Sequence, residues 1–114
     1  MKSEAYIKHI LDAIQAIEDF TKGISYKEFI QNKEKYSAVI RQFEIIGEAI
    51  NQLEKSLAEE KMSLKDKEIP LESIVEMRNI LIHEYFAVDL SLIWDTIEED
   101  LPILKEKIAN LSRL

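Results

Sequence analysis

Apolar residues recur at three- and four-residue steps through most of this chain, the spacing that places them on one face of an α-helix. Ile7, Ile10, Leu11, Ile14 and Ile17 follow it, with Lys8, Asp12 and Asp19 elsewhere on the wheel, and predict an amphipathic helix from about Ser3 to Phe20. Gly23 suits the left-handed residue that ends such a helix. Ser25-Tyr26-Lys27-Glu28 has the S-x-x-E form of a capping box, in which a serine hydroxyl and a glutamate carboxylate satisfy the free amides of a helix start. A second helix is therefore expected from near Tyr26. Tyr36, Val39, Ile40, Phe43, Ile46, Ile50, Leu53 and Leu57 carry its stripe to an end near Glu59. Ala38, Ile45 and Ala49 form a smaller apolar strip, as expected of a helix with neighbours on two sides. Arg41, Glu44 and Glu48 lie between the two strips, where charges three and four residues apart commonly pair at the surface. Gly47, costly inside a helix, suggests close backbone approach.

Residues 61 to 68 mix both signs of charge and read as a surface connection. Ile69-Pro70 opens a third helix, because proline suits a first turn where no amide is needed, and the pattern runs to about Ile82 or Tyr85. Asp89 can cap a fourth, with the stripe Leu90, Ile93, Trp94, Ile97, Leu101, Leu104, Ile108 and Leu111, and Pro102 is expected to kink it. Four long amphipathic segments with short connections predict an all-α antiparallel helical bundle, one domain over residues 1–114.

Composition agrees. The chain is 46% hydrophobic and 32% charged with two Gly and two Pro, which favours packed helices over turn-rich β structure. The net charge of −7 argues against a generally basic surface for binding nucleic acid through its phosphates, so any RNA contact must be local or made by an assembly. Without cysteine there are no disulfides or thiolate metal sites. No apolar run approaches the roughly 18 residues of a membrane span, and Glu4, Lys8 and Asp12 interrupt any signal-peptide core. A cytoplasmic protein without membrane attachment is expected.

One position breaks the pattern. On the third helix Leu71, Ile74, Val75, Leu81, Ile82 and Tyr85 share a broad apolar face, and Arg78 falls at its middle. His83, five residues on, is roughly 140° away around an ideal helix, so one helix cannot easily aim both at one atom. Either the helix end distorts, or two paired copies line one cleft with both residues, and the two-sided apolar patterning favours the dimer. Arginine is a permanent forked donor suited to phosphate, and histidine exchanges protons near neutral pH. The pair suits cleavage of RNA, whose 2′-hydroxyl is an internal nucleophile, so the protein need supply no metal and no cofactor. Asn79 could orient the imidazole or donate to phosphate, and Tyr85 brings a hydroxyl to the same side. By pattern alone a structural reading stands beside this one: Arg78 as a paired group bound to Glu44 or Glu48, and His83 as a cap or interface residue. His9 and His83 lack compact metal-ligand spacing, and Glu98-Glu99-Asp100 reads as a solvated face.

Arg78-Asn79-Ile80-Leu81-Ile82-His83-Glu84-Tyr85 has the form R-x4-H-x-Y, and with it stand Arg41-Gln42-Phe43-Glu44-Ile45-Ile46-Gly47-Glu48-Ala49, Ile69-Pro70, Phe86-Ala87-Val88-Asp89, Trp94 and Leu101-Pro102. In these residues the chain resembles the HEPN superfamily, specifically the HepT-like toxins of HepT–MntA toxin–antitoxin pairs. The resemblance implies a dimeric helical bundle and a metal-independent endoribonuclease with Arg78 and His83 in a cleft between protomers. It also implies a partner, a nucleotidyltransferase of the MNT type acting as antitoxin, with Tyr85 as acceptor of AMP from ATP. Leu71 departs from the tryptophan that many members carry after the proline, which affects packing at the helix start and leaves the motif untouched. The competing reading is a noncatalytic helical module, or regulatory subunit, that binds such a nucleotidyltransferase.

Overall fold

The structure, a computed structural model, describes residues 2–62, 69, 73–75 and 89–111. They are helical, with no strand among the described residues. Helix α1 spans Lys2–Thr21, α2 Tyr26–Gln31 and α3 Lys33–Glu59. After them come α4, Leu90–Asp95, a π-helical turn, Thr96–Asp100, and α5, Leu101–Leu111. Residues 73–75 are also helical, inside the span expected for the third predicted helix.

The periodic stripes form the core. Ile10, Ile14 and Ile17 of α1 face Val39, Phe43, Ile46 and Leu53 of α3, all without solvent exposure. The two helices run antiparallel, since Ser3 at the start of α1 bonds Ser56 near the end of α3, Oγ to Oγ at 2.8 Å. Both hydroxyls are buried, and each satisfies the other at a depth where an unpaired one would cost about 1–3 kcal/mol. Ile93, Leu101, Leu104 and Ile108 close the core from the C-terminal helices, and α5 packs on α1. Lys105 Nζ donates to Glu18 Oε2 at 3.0 Å across that junction.

Local signals behave as chemistry requires. Gly23 takes φ +74° beyond α1, and the Ser25–Glu28 capping box forms with both of its reciprocal hydrogen bonds. At the end of α3 the Met62 amide donates to the Leu57 carbonyl and the Lys61 amide to that of Ala58, a Schellman closure with Lys61 at φ 59°. A lysine therefore holds the left-handed position that glycine usually fills.

One expectation is corrected. The segment from Tyr26 to Glu59 is not one helix, because Asn32, at φ −111° and ψ 88°, ends α2 and begins α3. Its side-chain oxygen accepts from the Lys35 amide at 3.0 Å, offering the backbone an alternative to helix continuation. In the C-terminal segment the irregularity is a π turn in which the Leu101 amide donates to the Thr96 carbonyl. This wider turn falls just before Pro102, whose ring would otherwise press on the carbonyl four residues back.

The bend at Asn32 lets α2 fold onto the bundle. Phe29 is fully buried, 6.4 Å from the Tyr36 ring and 5.1 Å from Trp94, which also lies 6.0 Å from Tyr26. Phe29→Ala is expected to cost about 3–5 kcal/mol, as for truncation of a buried aromatic. Denaturant titration followed by Trp94 fluorescence measures this, and the folded-state emission should shift as the indole loses its neighbour.

Candidate functional site

Arg78, Asn79, His83 and Tyr85 lie outside the described residues, and so do Pro70, Leu71 and the rest of the motif. The described residues fix what stands on either side. Ile74, four positions before Arg78, is fully buried in the core, and Ile69 is buried as well. Asp89, four positions after Tyr85, is the N-cap of α4. Its Oδ1 accepts from the Ser91 hydroxyl at 2.6 Å, the Ser91 amide at 3.0 Å and the Leu92 amide at 3.2 Å. These bonds, led by that from the Ser91 hydroxyl and then the Leu92 amide, hold its carboxyl below the usual aspartate range. The described residues on either side of the motif are thus a core isoleucine before it and the capped start of a helix after it.

A groove of about 430 Å³ runs beside the seam of α1 and α3. Tyr6 and His9 line it from α1, and Arg41, Glu44, Ile45, Glu48, Ala49 and Gln52 from α3. The α3 residues recur at three- and four-residue steps, so one stripe of that helix forms the whole wall. Ile45 and Ala49 of the smaller apolar strip predicted on α3 line it, Ala49 buried and Ile45 half-buried. Arg41 Nη1 donates to Glu44 Oε2 at 3.1 Å, the predicted ion pair, and its side chain keeps 69% of its surface exposed. An exposed pair of this kind contributes about 0–1 kcal/mol to stability.

Arg41 alone does not make this wall positive, because the described lining sets one guanidinium against two carboxylates. Sequence alone does not place Tyr6 and His9 on one groove with the α3 stripe. Antiparallel pairing of the first helix with the stripe 41–52 is the signal that places them there. Among the described residues no three His, Asp or Glu side chains come together as metal ligands, and no helix is long and apolar enough to cross a membrane.

Comparison with known proteins adds the family context. Residues 10–111 match the family model described as ribonuclease HepT-like. The chain is 41% identical over 108 residues to a protein of Thermococcus cleftensis named probable ribonuclease HepT, covering 95% of this chain and 94% of that one. It is 40% identical over 105 residues to a candidate RNase of Methanocaldococcus jannaschii, covering 92% of each. A second protein of that organism, named for γ-glutamylcyclotransferase and a candidate RNase, is 43% identical over 106 residues. That match covers 93% of this chain but 46% of the relative, so the chain corresponds to about half of the longer protein. No solved structure matches the chain.

The Asp89 cap gives a pH-dependent outcome. A carboxyl whose folded-state pKa is depressed adds stability that is present above its unfolded pKa and is lost as pH falls through the folded value. Carbon-detected NMR titration should find Asp89 ionising below the usual aspartate range. Ser91→Ala should move it back toward that range, since the Ser91 hydroxyl is the largest cause of the shift.

Proposed function

Because the chain belongs to the ribonuclease HepT-like family, we propose that it is a metal-independent endoribonuclease, the toxin of a cytoplasmic toxin–antitoxin pair. The observation that carries this reading is the R-x4-H-x-Y spacing of Arg78, His83 and Tyr85 inside the matched residues 10–111. The 2′-hydroxyl attacks the adjacent phosphorus and gives up its proton to solvent, the bond to the 5′-oxygen breaks, and a 2′,3′-cyclic phosphate and a 5′-hydroxyl result. Arg78 stabilises the charge that builds on the phosphoryl oxygens, a role suited to a forked and permanent cation. His83, as imidazolium, gives its proton to the departing 5′-oxygen. Asn79 supports the site by orienting the imidazole or donating to phosphate. Two protomers contribute to the cleft, because residues five apart on one helix diverge by roughly 140°.

Control is assigned to Tyr85. A partner nucleotidyltransferase of the MNT type activates the phenol, which attacks the α-phosphorus of ATP and releases pyrophosphate. The AMP adds bulk and negative charge where an RNA phosphate must bind. The net charge of −7 and the carboxylates beside Arg41 favour one competing reading, a noncatalytic module that binds the nucleotidyltransferase.

The two readings part at the motif. Purified chain should cleave RNA in excess chelator, with Arg78→Ala and His83→Ala each lowering the rate by a hundredfold or more while still sedimenting as folded dimers, on the scale of about 10²–10⁴ for an acid–base residue. Unmodified wild type that leaves a broad set of RNAs intact would sink the ribonuclease. Incubation with the partner and ATP should add mass in steps of one AMP, and Tyr85→Phe should abolish the gain. Labelling that survives in that variant refutes Tyr85 as acceptor.

A further inference from the structure

Charge is unevenly distributed along the bundle. From Phe20 to Ile40 the chain carries four lysines, Lys22, Lys27, Lys33 and Lys35, against two glutamates, while the remaining residues carry 11 cations and 20 carboxylates. The Ser3–Ser56 bond makes this stretch one end of the molecule. With those two serines level at one end of the α1–α3 pair, the close of α1 and the start of α3 meet at the other. Lys22 follows α1, Lys27 lies on α2, and Lys33 and Lys35 stand in the first turn of α3. None of the four takes part in an ion pair among the described residues. Of the two glutamates, Glu28 accepts from the Ser25 amide at 3.1 Å in the capping box, and Glu34 stays exposed.

Positive charge in the first turn of a helix opposes the helix dipole, so Lys33 and Lys35 do not serve the stability of α3. Beside these lysines α2 leaves apolar surface uncovered. Phe29 is fully buried, but Tyr26 and Ile30, one turn apart on the neighbouring face, keep 39% and 38% of their surface exposed. The Tyr26 ring is backed by half-buried Trp94, with centroids 6.0 Å apart. Lysines around an exposed aromatic ring match a strand that alternates phosphates and open bases, because ammonium groups meet the phosphates and the ring stacks on a base. A duplex offers the charge without free base faces, and an acidic peptide offers carboxylates without a repeating planar face. The excess of carboxylates over the rest of the chain repels a polyanion and steers it to this end.

We infer that the corner formed by the end of α1, α2 and the start of α3 is a docking surface for single-stranded RNA, with Tyr26 as stacking platform and Lys22, Lys27, Lys33 and Lys35 as phosphate contacts. Resting on the ribonuclease reading for its substrate, the inference assigns strand capture to residues other than those of the R-x4-H-x-Y motif.

A fluorescein-labelled 2′-O-methyl oligoribonucleotide, which lacks the nucleophile for cleavage, reports binding to the full chain by anisotropy. Log affinity against log salt concentration should fall with a slope of up to about 3, at about 0.7 for each of the four lysines. Lys27→Gln and Lys33→Gln should each reduce that slope by about 0.7. Lys55→Gln, an exposed position at the opposite end of α3, should leave it unchanged. Tyr26→Ala should weaken binding about fivefold or more, the scale of one lost base stack, and Tyr26→Phe should not. The single strand should bind more tightly than the duplex of the same sequence, although the duplex has the higher charge density. No binding, tighter binding of the duplex, or an equal loss in Lys55→Gln overturns the inference. Competition by poly-glutamate as strong as by unlabelled oligonucleotide also overturns it, and marks an acidic protein partner instead. In cleavage assays Lys27→Gln and Lys33→Gln should raise KM for RNA. Cleavage with KM unchanged in both overturns the surface and leaves the ribonuclease standing. Binding of this pattern by a chain that cuts no RNA supports the surface and removes the ribonuclease.

Discussion

The apolar seam between α1 and α3 is the contact on which the rest of the molecule depends. Ile10, Ile14 and Ile17 on one side and Val39, Phe43, Ile46 and Leu53 on the other are wholly withdrawn from water. Each such side chain gains about 1.5–3 kcal/mol over its exposed state, whereas the described surface ion pairs contribute about 0–1 kcal/mol apiece. Removal of apolar surface thus fixes the relative placement of the two helices, and the charged residues take positions the seam leaves them. The buried Ser3–Ser56 pair adds little net energy but tolerates no slip in register, because a shift would leave two hydroxyls unsatisfied at depth.

The groove follows from that seam. Once the main stripe of α3 is committed to α1, the residues one step round the helix form a wall that α1 overhangs with Tyr6 and His9. Polar side chains there are partly sheltered and still reachable, the condition under which hydrogen-bonding groups can discriminate between ligands. The Arg41–Glu44 pair, still open to water, contributes little to stability.

The C-terminal helices secure the other side of the motif. Trp94 packs against Phe29, which the Asn32 bend delivers to the core, and Asp89 fixes where α4 begins. Between Ile74 and Asp89 lies the segment that carries Arg78, Asn79, His83 and Tyr85. Its two ends are therefore set by burial and by capping, through interactions unrelated to the proposed chemistry.

Much of this was legible in the sequence because it depends on neighbours close along the chain. Helical periodicity in α1 and α3, the Ser25–Glu28 box, the Gly23 stop and the Asp89 cap each involve residues within about two turns, so composition and spacing suffice to predict them. The R-x4-H-x-Y motif is legible for the same reason, and with it the family. Other features required the folded chain. The break at Asn32 is a competition between a side-chain cap and continuation of the helix, which periodicity on both sides conceals. The π turn before Pro102 is one of several ways to relieve a proline, and spacing does not choose among them. The shared groove of Tyr6 and His9 with the α3 stripe from Arg41 to Gln52, like the Ser3–Ser56 bond, depends on residues far apart along the chain. Local sequence therefore determined which faces are apolar and which residues could do chemistry. Only the packing of one apolar face on another decided which of those residues share a groove, since that contact is non-directional and takes its register from the whole seam.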